Sequence, residues 1–279
     1  MLSISGMTGR LALTLLDKTK DAQLKSIEND PANARAIARF RDQVGSINTV
    51  DDLVGNYDVY SFVMKAYDLK DQMFGKAMMK QILSSDPTDK TSLLNKLTDS
   101  RFRTFYNAMG FTSNGQVNVN TLKQSWQDQV VQRFVEQQYI NDEGSQNDAV
   151  GTVLSFRQKV GGINSWYDVL KDKKVGQFMR TALQIPDGVV AQDLDRQVKL
   201  FEDKFDIKKL QDPAEVEKLV SKYVAISDAK NAAANAANDP GLQLISGALS
   251  SDGSGQFVPA TLDISSIDMS AFSASSLYR

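Results

Sequence analysis

The side chains that could do chemistry in this 279-residue chain are carboxylates, because the sequence contains neither histidine nor cysteine. Without those two residue types there is no Ser-His-Asp or Cys-His nucleophile, no imidazole proton shuttle and no thiolate or imidazole metal site. The absence of cysteine is also typical of proteins that are exported unfolded or packed into external filaments. Six of the 34 acidic residues are glutamates and the others are aspartates; the glutamates are Glu28, Glu136, Glu143, Glu202, Glu215 and Glu217.

Two groups of carboxylates deserve a test as reactive sites. A glycan hydrolase needs two carboxyl groups at a cleft, one of them with a raised pKa, and Glu136 and Glu143 flank a polar stretch that we interpret as a solvated helix end. Asp86 and Asp89 suggest a cation loop, but they lack the glycine and the distal glutamate of an EF-hand, so we interpret them as caps. The sequence therefore predicts no catalytic, cofactor-binding or metal-binding residue, and no cofactor.

The charge balance argues against nucleic acid or an anionic membrane as the main partner. The chain carries 32 basic and 34 acidic residues, a net charge of −2. Arg101 and Arg103, next to aromatic residues, form the one local basic feature, and we expect them on a solvated helix face. No segment approaches the roughly 18 apolar residues of a membrane span, and the apolar run at residues 11–16 is too short for a secretory signal.

A stretch of 32 residues occurs twice without gaps, at residues 40–71 and 156–187, with a constant offset of 116. Eleven positions are identical in the two copies, and most are core or cap types, so the repeat describes architecture. They are Phe40/Phe156, Arg41/Arg157, Val44/Val160, Gly45/Gly161, Ile47/Ile163, Asn48/Asn164, Asp52/Asp168, Val59/Val175, Phe62/Phe178, Ala66/Ala182 and Asp71/Asp187.

The pattern of apolar residues predicts an all-α fold. Val59, Phe62, Val63 and Ala66 have the i, i+3, i+4, i+7 spacing of a buried helix face, and the second copy repeats it. Four Asp-Pro pairs, at residues 30, 86, 212 and 239, have the form of helix starts, and the repeated Val-Gly-x-Ile-Asn fits a glycine C-cap before a polar N-cap. We predict helices at 8–28, 31–44, 49–55, 58–68, 71–84, 90–97, 99–109, 119–140, 145–160, 165–171, 173–184, 188–204, 206–210, 213–236 and 240–249.

The repeat also suggests how the chain is organised. We predict a first helical half at residues 1–110, a loop at 111–118, a second helical half at 119–249 and a serine-rich tail at 250–279. The tail contains five spaced apolar residues, which leaves open whether it is a loosely ordered end or an extended segment that packs on a partner subunit. The sequence does not decide whether the two halves form one domain or whether the chain oligomerises.

Several segments resemble the bacterial domain-of-unknown-function family numbered 1217. They include SINTVDDL at 46–53, AYDLKDQMFGKAMMKQIL at 66–83, SDPTDKTSLLNKLTDSRF at 85–102, INSWYDVLKD at 163–172, RTALQIPD at 180–187 and DLDRQVKLFEDKFDIKKLQDP at 193–213. The resemblance extends over roughly residues 20–225. It implies an alphaproteobacterial protein encoded near flagellar genes, and it carries no active-site residue to transfer.

We therefore expect a non-enzymatic structural or assembly protein of the bacterial flagellum that acts through protein–protein contacts. In one version the flagellar secretion apparatus exports it to the hook or filament, so that it is extracellular. In the other version it stays in the cytoplasm as a helper of export or assembly. The alternative from a different class is a carboxylate-dependent hydrolase that opens cell-wall glycan.

Overall fold

The computed structural model describes residues 2–112, 114–118 and 120–238, with side chains up to residue 234. These residues form α-helices and short 3-10 turns without β-strands, so the predicted all-α class is confirmed. The helices are α1 (Gly9–Glu28), α2 (Pro31–Gln43), α3 (Val50–Gly55), α4 (Tyr57–Ala66), α5 (Lys76–Leu83), α6 (Leu93–Lys96), α7 (Ser100–Met109), α8 (Gln124–Gln146), α9 (Asp148–Lys159), α10 (Trp166–Lys171), α11 (Lys173–Ala182), α12 (Leu194–Glu202) and α13 (Pro213–Asn238).

The sequence repeat is a structural repeat. The first copy runs through α2, a 3-10 turn at Val44–Ser46, α3 and α4; the second runs through α9, a turn at Val160–Gly162, α10 and α11. The turn, α3 and α4 begin and end exactly 116 residues before their counterparts. Of the described residues, those up to 228 form one compact unit, and the end of α13 from residue 229 belongs to a second unit.

Shared polar residues start the short helices of both copies. Thr49 and Asp52 form a reciprocal capping box at the start of α3, and Ser165 and Asp168 form the same box at α10. In each box a hydroxyl accepts the N3 amide hydrogen while the aspartate accepts the N-cap amide hydrogen, so two otherwise unpaired donors are satisfied. Repetition of the box explains why this aspartate is among the identical positions.

Stacked aromatic rings fill the centre of each copy. The rings of Phe40 and Phe62 lie 4.4 Å apart, and their counterparts Phe156 and Phe178 lie 3.9 Å apart. Each pair is extended by a ring from the long helix that follows: Phe134 of α8 lies 4.2 Å from Phe62, and Tyr223 of α13 lies 4.7 Å from Phe178. All these rings are buried, and burying a side chain of this size contributes about 1.5–3 kcal/mol. The structural repeat therefore also includes α8 and α13, which lie outside the repeated stretches of sequence.

Helices α4 and α11 end in the same unusual way. The backbone is left-handed at Asp68 (φ 57°) and at Gln184 (φ 56°), two residues that lie 116 positions apart. The next amide in each copy donates back five residues, from Leu69 to Met64 O and from Ile185 to Arg180 O, both at 2.8 Å. These bonds satisfy carbonyls at the helix end, as in a Schellman motif that glycine would normally close.

The structure corrects several predicted boundaries. Residues 71–84 and 188–204 each divide into a 3-10 turn and a shorter α-helix, and the helix predicted at 206–210 is a 3-10 turn. The Asp-Pro pairs at 30 and 212 start helices, whereas Asp86-Pro87 begins a turn. Gly45 and Gly161 lie inside 3-10 turns without positive φ, so neither is a left-handed C-cap. The pair at 239, the helix at 240–249 and the tail at 250–279 lie outside the described residues.

The loop predicted at 111–118 packs back onto the first copy. Gly110 ends α7 in the left-handed conformation (φ 67°), and the Gly115 carbonyl then accepts from the Val50 amide at 2.9 Å. The Thr121 hydroxyl donates to the Ile47 carbonyl at 3.0 Å. In the second copy Gln211 donates to the equivalent Ile163 carbonyl at 3.5 Å. The repeated turn is therefore covered in both copies, by segments with unrelated sequences.

Candidate interaction surfaces

The two copies differ most in how much of their first helix is covered. In α9 of the second copy, seven of 12 residues are buried. In α2 of the first copy, only Phe40 among 13 residues is buried. Helix α9 is covered because α8, α1 and α11 pack on it, whereas α2 packs mainly on α4. A helix face that is an internal contact in one copy is thus open to solvent in the other.

A pair of glycines allows the close packing in the second copy. Gly144 of α8 and Gly151 of α9 approach so closely that a Cβ built on Gly151 would lie 2.4 Å from the Gly144 Cα. The positions 116 residues earlier hold Glu28, at the end of α1, and Arg35 on α2. Because these side chains leave no room for backbone contact, α1 cannot pack on α2 as α8 packs on α9. Helix α1 lies on α8 and α9 instead.

The open face borders a cavity of about 240 Å³, which we call the first-copy groove. Ala36, Phe62 and Phe134 contribute small and aromatic surface to the groove, and Tyr57, a residue that is 65% exposed, also lines it. Its charged lining consists of Arg35, Arg39, Asp58 and Lys65. Apolar surface surrounded by charged residues is the usual composition of a protein-binding site.

The charges of the groove do not balance. Arg39 lies 3.6 Å from Asp58, and their side chains are 63% and 37% exposed, so this ion pair contributes at most about 1 kcal/mol. Arg35 and Lys65 have no acidic partner among the described residues. Arg35 and Arg39 are one helical turn apart and point along the same face of α2. The groove therefore presents a net positive rim to whatever binds it.

A second cavity, of about 340 Å³, joins the two copies through charged residues. Lys159 of α9 donates to Asp172 at 2.7 Å, and Lys174 of α11 lies 3.6 Å from Asp68, the left-handed residue that follows α4. Arg101 of α7 forms a fork on the Asp99 carboxylate, with bonds of 2.8–3.1 Å. Its acidic groups are thus paired with cations, and the Lys174–Asp68 pair joins the two copies across the cleft.

Glu143 corrects one expectation from the sequence. We expected a solvated helix end, but α8 runs unbroken from Gln124 to Gln146 and the Glu143 side chain is fully buried. Burial, reinforced by Asp142, raises the pKa of Glu143, and its Oε1 has no hydrogen-bond partner. Burial together with Glu143 and Asp17 raises the pKa of Tyr139 to about 12. Glu136, one to two turns earlier, remains partly exposed.

The other polar candidates are structural. The Asp86 carboxylate accepts from the hydroxyl and amide of Thr88, and Asp89 accepts from those of Thr91; these hydrogen bonds lower both pKa values. Arg101 is half-buried, so its predicted place on a solvated face was wrong, whereas Arg103 is exposed and bonds to Asn95. Among the described residues no group of carboxylates is placed to hold a metal ion, and no helix is long and apolar enough to cross a membrane.

A family model described as Protein of unknown function (DUF1217) matches residues 66–216, more than half of the chain. The chain belongs to this family. The match is shorter than the stretch of roughly residues 20–225 over which the sequence resembles the family. It contains the charged cleft and all of the second copy, but of the first-copy groove it includes only Phe134. The groove-forming helices α2 and α4 thus lie almost entirely outside the residues that the family model matches.

A solved structure matches most of the chain. It is the crystal structure of protein AGR_C_984 from Agrobacterium tumefaciens, with 26% sequence identity and a TM-score of 0.72. The match covers 83% of this chain and 97% of the other. No protein with a curated description matches the chain. For this DUF1217 protein, function must therefore be argued from its own surfaces.

Sequence reasoning missed the groove because it looked for chemistry in the residues that the copies share. The usable signal was a difference between them: Arg35, Ala36 and Arg39 stand where the second copy has Gly151, Thr152 and Ser155. Two long cations in place of small residues indicate a helix face that cannot be packed in the same way. Extending the alignment of the copies to the residues before Phe40 and Phe156 shows this substitution.

Proposed function

We propose that this protein is a non-enzymatic structural or assembly protein associated with the bacterial flagellum, and that it acts through protein–protein contacts at the first-copy groove. The observation that carries the binding role is the open face of α2, whose counterpart α9 is buried under α8 and α1. In the second copy of the repeat, helices cover the equivalent face of α9. The open face of α2 therefore has the shape of a surface that binds a helix. The flagellar role rests on the genomic setting implied by the family resemblance.

Within this proposal we favour export to the flagellum over a cytoplasmic helper role. The chain lacks cysteine, which suits a protein that passes unfolded through the flagellar secretion channel. The cytoplasmic helper is the alternative, since it too would need a protein-binding groove.

The hydrolase alternative is weaker. A general acid must reach the substrate, but Glu143, the glutamate with a raised pKa, has a fully buried side chain. Beside it the Gln146 side chain bonds to Glu143, to the Ile4 amide and to the Leu2 carbonyl, and so ties residues 2–4 to this end of α8. Neither cavity described above includes Glu143 in its lining.

Mass spectrometry of sheared flagella and culture supernatant tests the flagellar role. The comparison uses a wild-type strain and a strain whose flagellar secretion apparatus is inactive. We expect the protein outside the wild-type cell and not outside the mutant. Retention inside both strains would reject export and favour the cytoplasmic helper. Recovery outside both strains would show release by another route and contradict the proposal.

A further inference from the structure

The second copy shows what kind of element fits the open face of the first. There α8 packs along α9 with Gly144 against Gly151, α1 also packs on α9, and Thr152 and Ser155 of the equivalent face are buried. The stacked rings beneath are the same in both copies, so the supporting surface keeps its shape. A helix is therefore the element that the first-copy groove is shaped to receive.

The charges of the groove define the chemistry of that helix. Arg35 and Arg39 lie one turn apart on α2, and Lys65 of α4 also lines the cavity. Carboxylates spaced three or four residues apart on an incoming helix would meet the two guanidinium groups, which bind carboxylates through paired hydrogen bonds. One apolar side chain on the same face would contact Ala36 and the aromatic lining.

A second copy of this chain is a poor occupant of the same surface. A symmetric dimer through the groove would bring Arg35 and Arg39 of both copies together without additional carboxylates. Asp58 is the one acid in the groove lining, and it already lies beside Arg39. Like charges placed against each other at an interface disfavour association.

We propose that the first-copy groove binds an amphipathic helix of a different protein, a helix that carries two carboxylates one turn apart beside an apolar residue. This inference rests on the proposed function, because it identifies the chemical character of the partner in that role. The carboxylates pair with Arg35 and Arg39, and the apolar residue enters the cavity between α2 and α4. Tyr57, exposed at the edge, lies against the bound helix.

Site-specific photo-cross-linking in cells tests the partner. The cross-linking amino acid p-benzoylphenylalanine replaces Tyr57 in the full-length chain, and the matched control places it at Lys173, the exposed equivalent in the second copy. We expect an adduct at position 57 with another protein, and a cross-linked peptide that contains two acidic residues three or four positions apart. The control position gives no adduct with that protein.

Charge reversal makes the test specific. Arg35→Glu with Arg39→Glu lowers the adduct yield at least about tenfold, because two charge-assisted contacts become repulsive. Changing the two partner carboxylates to lysine restores the yield. Circular dichroism of the purified variant shows whether the fold is kept. If the fold is lost, the variant Arg35→Gln with Arg39→Gln is tested instead, and it should also lower the adduct yield.

Several outcomes would overturn the proposal: an adduct with a second copy or with residues 239–279, an adduct with a segment that lacks the acidic pair, an adduct insensitive to charge reversal, or no adduct. The same strains separate this inference from the proposed function. If the protein is found in flagella but gives no acidic adduct, the inference fails and the flagellar role stands. If the adduct contains the acidic pair but comes from a non-flagellar protein, the inference stands and the flagellar role fails.

Discussion

At the scale of single residues, the contact between Gly144 and Gly151 decides how α8 and α9 pack. We predict that Gly151→Ala destabilises the protein, because the new methyl group would lie 2.4 Å from a backbone atom that cannot move alone. Overpacking of this kind costs about 1–3 kcal/mol, while the better helix propensity of alanine returns at most about 1 kcal/mol. Chemical denaturation should show a net loss of up to about 3 kcal/mol in the free energy of unfolding.

Gly161→Ala is the matched control for that experiment. No atom lies within 4 Å of a Cβ built on Gly161, and its φ is not positive. We expect little change in the unfolding midpoint for this variant. Equal stability of the two variants would mean that the glycine contact does not control the packing of α8 on α9.

The buried Glu143 predicts an unusual dependence of stability on pH. Because its pKa is higher in the folded than in the unfolded protein, its contribution favours folding below the ordinary value of 4.5 and is lost as the pH rises through the folded-state pKa. Glu143→Gln has no proton to lose. The stability of this variant relative to the wild type should therefore increase from pH 4 to pH 7.

Thermal melts at a series of pH values measure this difference. Glu136→Gln, in the same helix but with a partly exposed side chain, changes the net charge by the same amount and serves as the control. If the Glu143→Gln difference were constant over the range, or fell with rising pH, the folded protein would not raise the pKa of this carboxyl group.

At the scale of the secondary-structure elements, the two copies use different residues for the same contact between the end of one helix and the start of another. In the second copy Lys159 donates to Asp172, the N-cap of α11, at 2.7 Å. In the first copy the equivalent contact is neutral: Asn56, the N-cap of α4, donates to Gln43 at 2.9 Å. The pair joins the end of one helix to the start of another in both copies. The neutral Gln–Asn pair of the first copy is therefore a natural replacement for the charged Lys–Asp pair of the second.

We predict that Lys159→Gln destabilises the protein by about 1–3 kcal/mol, because it leaves the largely buried Asp172 carboxylate without its cation. The double variant Lys159→Gln with Asp172→Asn should recover most of the loss, since it recreates the pair of the first copy. Urea denaturation of the two single variants and the double variant measures this coupling. Additive losses would contradict the prediction.

The pH dependence of the Lys159→Gln effect has a defined sign. Burial raises the pKa of Asp172, but the charge and hydrogen bond of Lys159, with two backbone amides, outweigh it and hold the pKa below its ordinary 3.8. A lowered folded-state pKa contributes stability above the unfolded value and loses it in acid. The cost of Lys159→Gln should therefore be largest near neutral pH and shrink below about pH 4.

Elements with strong local signals could be predicted from the sequence. The apolar stripe of α4 and α11, the capping aspartates and the Asp-Pro starts at 30 and 212 act within one or two turns, so local patterns report them. The continuity of α8 could not be predicted, because the stretch Asn141–Gly144 has the composition of a turn. There α8 continues because its residues Tyr139, Ile140 and Glu143 are buried against other helices, which a local pattern does not report.

The candidate site was harder to predict than the fold. The open face of α2 exists because α1 packs elsewhere, and no pattern within α2 reports where another helix lies. The burial of Glu143 depends in the same way on residues at the far end of the sequence. A surface that is open because no helix packs on it can therefore be identified only from the three-dimensional structure.

At the scale of the whole molecule, α8 links the two copies. It packs on α4 as the last helix of the first copy and on α9 as the leading helix of the second. Because α1 does not take the leading position in the first copy, one face of α2 has no covering helix within the described part of the chain. Arrays of helical modules commonly bind partners on surfaces that their own repeats leave free.

Swimming in soft agar tests the central claim, that the first-copy groove is the working surface of a motility protein. A strain without the gene is complemented with the wild-type chain, with Arg35→Glu and Arg39→Glu, or with Lys18→Glu and Lys25→Glu. The last variant makes the same change in charge on the exposed side chains of α1. Protein levels are checked in each strain.

We predict that the wild-type chain and the α1 variant restore the swimming halo, whereas the groove variant leaves it as small as in the deletion strain. Full swimming with the groove variant would contradict the claim that the groove is the functional contact. Normal swimming of the deletion strain itself would contradict a role in motility.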